Sequence, residues 1–133
     1  MPRVLIAEDD PLVGDMLQFA FMEAGHGVGV IGDGSDALGA IRSRRPDLVI
    51  LDCELPGMHG LAILAEMRRD AFLWKIPVVF LTGARGPNDA DMAMQSGANG
   101  FLHKPCDPRR VVARAEEELT RAKRPVTLVR SVG

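Results

Sequence analysis

Five short aliphatic runs punctuate the chain: VLIA (4–7), GVGVI (27–31), LVIL (48–51), VVFL (78–81) and GFLHK (100–104). Each is too short for a buried helix and rich in Val, Ile or Leu. Such runs, without alternation, are what strands buried on both faces of a parallel sheet look like. The second run, diluted by Gly27 and Gly29, reads as an edge strand.

Helical patterns fill the intervals. Asp10 is a cap and Pro11 a first helical residue; Val13, Met16, Leu17, Ala20 and Ala24 are expected on one face, with Gly25 as the stop. A second helix is expected over 35–45, with Ala37, Leu38 and Ile41 inward and Pro46 ending it. A third spans about 60–69, with Leu61, Leu64 and Met67 inward. A short fourth takes Asn88 as cap, turns Met92 and Ala93 inward and stops at Gly97. The last opens at Asp107 and Pro108 and runs to Lys123, burying Val111, Val112, Ala115 and Leu119; Pro125 breaks it. Five strands alternating with five helices predict an α/β fold, a flavodoxin-like (βα)5 three-layer sandwich with a parallel sheet of order 2-1-3-4-5. One domain over residues 1–123 accounts for these elements, and 124–133 is either a free tail or the start of a linker.

The bulk numbers fit that plan. A length of 133 residues suits one domain with a real core. Apolar residues at 47% and charged residues at 26% are ordinary for a soluble protein, and a net charge of −2 argues against broad nucleic-acid binding by this domain. Two cysteines, Cys53 and Cys106, make no disulfide framework, so a reducing compartment is expected. The N-terminal apolar run is short and ends in acids, unlike a signal peptide, and no stretch reaches the length of a membrane span. A cytoplasmic protein is the expectation.

Ligands of an open parallel sheet sit beyond the carboxyl ends of its strands. There the chain places Glu8, Asp9 and Asp10 after the first run, Asp52 after the third, Thr82 after the fourth and Lys104 at the end of the fifth. Crowded carboxylates need a cation, and oxygen-only ligands favour a partly hydrated Mg²⁺ over zinc. A cation, an amine and a hydroxyl together clamp a phosphoryl group. Asp52 then becomes a carboxylate nucleophile able to carry that group as an acyl phosphate. Taken singly the same residues are bland: Asp52 caps a loop, Asp10 caps a helix and Thr82 fills a turn.

The pieces VLIAEDDPLV, DLVILDCELPGMHG, VVFLTGA and GANGFLHKP, in this order, resemble the receiver domain of two-component response regulators, a CheY-like family, over about residues 3–122. The resemblance implies that Asp52 accepts a phosphoryl group from a histidine kinase or phosphotransfer protein. It implies that Asp9 and Asp52 hold Mg²⁺ directly, with Glu8 acting through water and Glu54 lending its backbone carbonyl. Thr82 is implied as the switch hydroxyl, Phe101 as the switch aromatic and Lys104 as the phosphate-binding lysine, with Lys104–Pro105 cis. The output surface it implies is the fourth helix, fifth strand and fifth helix, which engages a downstream protein, an effector domain or a second copy in a homodimer. It implies neither direct nucleic-acid contact by this domain nor a membrane.

Departures from the family pattern are Gly83 for Ala, Phe101 for Tyr, His59 for Asp or Asn, and Cys106 for a large apolar residue; none removes an essential group. His26, His59 and His103 are not expected to form a metal cluster, and His59 reads as a solvated loop residue. Cys53 should face away from Asp52, buried and inert, and the methionines read as core filler. The charges of RRVVARAEEELTRAKR read as a solvated face or a partner surface. Glu54 and Ala84 flank the expected path of the hydrolytic water. Trp74 falls on the edge away from the site. The chain is expected to catalyse only its own phosphotransfer and dephosphorylation. The competing readings are a docking module of the same fold that works without phosphorylation, and, behind it, an aspartyl phosphohydrolase. Because Met1 leads straight into the receiver, a position at the rear of a hybrid kinase is not expected.

Overall fold

The computed structural model describes residues 1–83 and 89–123. Ala84, Asn88, Pro125 and the expected tail lie outside the described residues. The elements follow in the order β1 (Arg3–Ala7), α1 (Pro11–Glu23), β2 (Gly27–Ile31), α2 (Gly34–Arg44), β3 (Leu48–Leu51), α3 (Gly60–Arg69), β4 (Val78–Thr82), α4 (Asp89–Gln95), β5 (Gly100–His103) and α5 (Pro108–Lys123). The strands form one parallel sheet in the order β2-β1-β3-β4-β5.

Alternate side chains of the strands feed two cores. Val4, Ile6, Leu48, Ile50, Val79 and Leu81 pack with Leu17 and Phe21 of α1 and Val111, Val112, Ala115 and Leu119 of α5. Leu5, Ala7, Val49, Leu51, Val78 and Phe80 pack with Ala37 and Ile41 of α2, Ile63, Leu64 and Met67 of α3 and Ala93 of α4. Burying one such Leu, Ile or Phe contributes about 1.5–3 kcal/mol, so the two layers fix the strand ends on which the polar residues stand. β2 is half-buried throughout, as an edge strand should be.

Several expected faces turn out differently. In α1 the buried stripe is Gly14, Leu17 and Phe21, whereas Met16 is 47% exposed and Ala24 lies on the surface. The rotation comes from Gly14: a Cβ there would stand 3.0 Å from Val30 Cγ1, so the helix approaches the sheet on its glycine. In α3, Ile63 is buried and Leu61 only half-buried; in α4, Met92 is exposed and Ala93 buried. Of the seven methionines only Met67 is core, and five are exposed. α5 buries its four expected residues and also Glu118, which Arg114 and Arg121 grip from the preceding and following turns.

Arg68 links several elements. Its guanidinium donates to the carbonyls of Gly97, Trp74 and Ile76 and to Asn99 Oδ1, pinning α3 to the approach of β4 and to the α4–β5 turn. Burial draws its pKa down from the ordinary arginine value.

Candidate functional site

The carboxyl edge of the sheet is held by the backbone ladder itself. Asp52 donates its N–H to Ala7 O at 3.1 Å, Glu8 to Ile31 O at 3.0 Å, and Lys104 to Thr82 O at 2.9 Å. The residues that carry the chemistry therefore extend rigid strands. Gly60 tightens the arrangement, because a Cβ on it would stand 2.2 Å from the carbonyl oxygen of Asp52.

Within this frame, Lys104 Nζ lies 2.6 Å from Glu8 Oε1 and 2.8 Å from Asp52 Oδ2. Both carboxylates are buried, at 4% and 5% exposure. The other Glu8 oxygen accepts from the N–H of Asp10 at 3.0 Å, and Asp52 Oδ1 accepts from the N–H of Glu54 at 3.1 Å. Burial works to lower the Lys104 pKa, but hydrogen bonds to Asp52 and Glu8 and the charges of both acids outweigh it, and the net displacement is upward.

Asp9 stands exposed at the rim. Oxygens of Glu8, Asp9 and Asp52 approach within 4.8 Å of one another, the one such group of potential metal ligands among the described residues. With one lysine against three acids, the cluster keeps an excess of negative charge. Its donors are all oxygen and one acid opens to solvent, which fits a hard divalent cation that retains water.

Thr82 ends β4 fully buried, its side chain near enough to Cys53 to act on that thiol. Cys53 packs in the core on the α2–α3 side, where burial first and then nearby acids push its pKa up to about 11 against the opposing influence of Thr82. A thiol so placed is neutral and inert at pH 7. Phe101 is half-buried, its ring 6.1 Å from that of Phe80 and 5.0 Å from that of His103. The Lys104–Pro105 bond is cis.

A family model described as the response regulator receiver domain matches residues 4–116. The chain belongs to the response regulator receiver family. It is 40% identical over 119 residues to the DNA-binding response regulator MtrA of Mycolicibacterium smegmatis, covering 90% of this chain and 51% of that protein. It is 33% identical over 133 residues to the transcriptional regulatory protein AfsQ1 of Streptomyces coelicolor, covering 100% of this chain and 58% of that one. The chain thus spans about half the length of the curated relatives it matches. Among solved structures, the signal receiver domain of a signal transduction histidine kinase from Syntrophus aciditrophicus shares 28% identity and a TM-score of 0.85, covering 99% of this chain and 100% of that one.

In this receiver the structure brings Glu8, Asp9, Asp52 and Lys104 together and sets Thr82 beside them at the end of β4. Glu54 meets Asp52 through its amide. Asp10 caps α1, accepting from the N–H groups of Leu12 and Val13. His59 is not merely solvated: it caps α3, its Nδ1 accepting from Leu61 N at 3.1 Å. His26 is buried, with Nε2 2.8 Å from Oε2 of Glu116, which lies 90 residues further along the chain.

Residue patterning missed the outer face of α1. Leu12, Phe19 and Met22, at 68%, 67% and 60% exposure, join Met16 there. A cleft of about 570 Å³ runs between α1 and α5 past Met16, Phe19, Pro108 and Val112, and a second of about 380 Å³ reaches from Met16 to Lys104 and Pro105. The signal lay in the surplus of apolar residues in PLVGDMLQFAFME, more than one buried stripe can use.

Proposed function

We propose that this receiver is switched by phosphorylation of Asp52, the phosphoryl group coming from a phosphohistidine on a partner kinase or phosphotransfer protein. The observation that carries the proposal is the Lys104 amine seated between two buried carboxylates, one of them at a strand end and backed by the Glu54 amide. A carboxylate oxygen of Asp52 attacks phosphorus, the P–N bond breaks, and its electron pair returns to the imidazole nitrogen. Asp9, Asp52 and the Glu54 carbonyl are the groups to hold Mg²⁺, with Glu8 acting through water. A bound Mg²⁺ supplies neutralisation of the phosphoryl oxygens and aligns them for in-line transfer.

Lys104 is already charged and placed to follow the oxygen it now holds onto the phosphoryl group. Thr82 has to turn from its present partners to the new dianion, and Phe101 is the neighbour that fills the space released. That couples a local charge to the face formed by α4, β5 and α5. The apolar cleft beside Lys104 gives a phosphodonor protein a surface next to the reacting atom. The groups that engage the switched face, an effector domain or a second copy, and a cytoplasmic setting belong to the same proposal. Among the described residues no helix is long and apolar enough to cross a membrane.

The test is labelling by a small phosphodonor such as acetyl phosphate, with and without Mg²⁺. Mg²⁺-dependent incorporation that Asp52→Asn abolishes is the expected result. No incorporation by the wild type, or equal incorporation by Asp52→Asn, overturns the proposal. Turnover of an external phosphoester at catalytic rates would favour a hydrolase instead.

A further inference from the structure

At the amino edge of the sheet, opposite the phosphoacceptor, the α3–β4 segment exposes two aromatic rings, Phe72 at 68% and Trp74 at 53%. Each carries a cation: the Arg45 guanidinium lies 4.4 Å from the Phe72 ring centre and Lys75 Nζ lies 5.1 Å from that of Trp74. Arg45 brings with it the end of α2, whereas the head group of its neighbour Arg44 turns away, toward Gly29 of β2. The acids nearby are already engaged. Glu66 pairs with Arg42 and Arg69, Asp47 accepts from the N–H of Arg3, and Asp70 accepts from the N–H of Phe72. Among the described residues no carboxylate lies within ion-pair distance of Arg44, Arg45 or Lys75.

Arginines at helix ends have an ordinary use, since α2 and α3 both end here and their carbonyls attract positive charge. That use does not require two large rings in water. Nor does it explain Arg45 itself, which is the one non-glycine described residue with positive φ, at 45°. Glycine fills such a helix-ending position with less strain, yet here an arginine occupies it with its head group over Phe72. The loop is also preset, because Arg68 holds the carbonyls of Trp74 and Ile76.

We infer that Arg45, Phe72, Trp74 and Lys75 form a docking surface for an acidic segment of a partner protein, whose carboxylates meet the two cations and whose apolar side chains lie on the two rings. Trp, Phe and Arg in a preset cluster are the residue types on which protein interfaces concentrate their affinity. The local charge is opposite to that of the carboxyl edge, where Glu8, Asp9 and Asp52 gather, so an acidic partner is directed here and away from the phosphoacceptor. The surface rests on different residues from the switch and is available whether or not Asp52 is modified.

The experiment titrates the whole chain with a dye-labelled synthetic peptide of glutamates interspersed with leucines, read by anisotropy and by Trp74 emission. Saturable, salt-sensitive binding with a change in Trp74 emission is expected. Arg45→Gly and Lys75→Glu should each weaken it roughly tenfold or more, while Asp52→Asn leaves it unchanged. Arg45→Gly suits the left-handed backbone, so its thermal midpoint should match or exceed the wild type. Absence of binding, binding that survives both variants, or tighter binding of a single-stranded oligonucleotide or of anionic lipid vesicles overturns the inference.

Discussion

Replacing Lys104 by Met tests the electrostatics of the site most sharply. The lysine is the counter-charge to two carboxylates that are almost wholly buried. Without it, Glu8 and Asp52 face each other with oxygens no more than 4.8 Å apart, a repulsion of about 3.5 kcal/mol at an effective dielectric of about 20. Removing one partner from a buried ionic cluster costs about 3–5 kcal/mol by the same reasoning, and for a domain of this size the midpoint should fall by on the order of 10 °C. The assay is urea unfolding at neutral pH followed by circular dichroism, with the slope expected to stay at its wild-type value. Adding Asp52→Asn to the Lys104→Met background should recover most of the loss. Mg²⁺ should recover part of it, by about 2.7 kcal/mol at a hundredfold excess over its dissociation constant. A cost below about 1 kcal/mol for Lys104→Met, or no recovery on removing the Asp52 charge, would refute the picture of a lysine-neutralised acid cluster.

Four further outcomes follow from particular contacts. Cys53, neutral in the fold with its pKa near 11 against an ordinary 9.0, contributes stability that is complete below pH 9 and is lost as the pH rises through 11; the loss, on the order of 2–3 kcal/mol, should be absent from Cys53→Ala when alkaline unfolding is compared. Lys104, raised in the fold, adds a second alkaline loss that begins above about pH 10.4 and that Lys104→Met should remove. Gly60→Ala should cost more than about 2 kcal/mol, because its Cβ meets the Asp52 carbonyl, and should slow phosphorylation as well; unchanged melting and labelling would count against that close approach. Substituting Glu54 should change the lifetime of the phosphorylated form in a decay assay, and an unaltered decay would remove it from the path of the hydrolytic water.

Asp52, Glu8, Asp9, Thr82 and Lys104 were legible because strand runs are short and sharp, and whatever follows them must stand at the carboxyl edge. The order of the sheet followed from the flavodoxin-like class to which the alternating strands and helices pointed, and the sheet has that order. Helix faces were harder to read. PLVGDMLQFAFME is apolar nearly all round, so periodicity could not choose between the stripe with Met16 and the stripe with Gly14, and contact with Val30 decided it. Glu118 escaped because a buried carboxylate is recognisable only through the two arginines a turn away on each side. His59 escaped because helix caps are sought among Ser, Thr, Asp and Asn, whereas its ring nitrogen performs the same task. The cation on the Phe72 ring escaped because Arg45 is distant in sequence and reaches Phe72 only in the fold.

The central claim is that Asp52 is the phosphoacceptor, and chemical mapping tests it directly. The chain is treated with acetyl phosphate and Mg²⁺, the acyl phosphate is reduced with borohydride, and the peptides are sequenced by mass spectrometry. Reduction of a phosphorylated aspartate leaves homoserine, and the account predicts homoserine at position 52 alone, dependent on Mg²⁺. Homoserine at position 9, or none at all under conditions where the chain is folded, would contradict it.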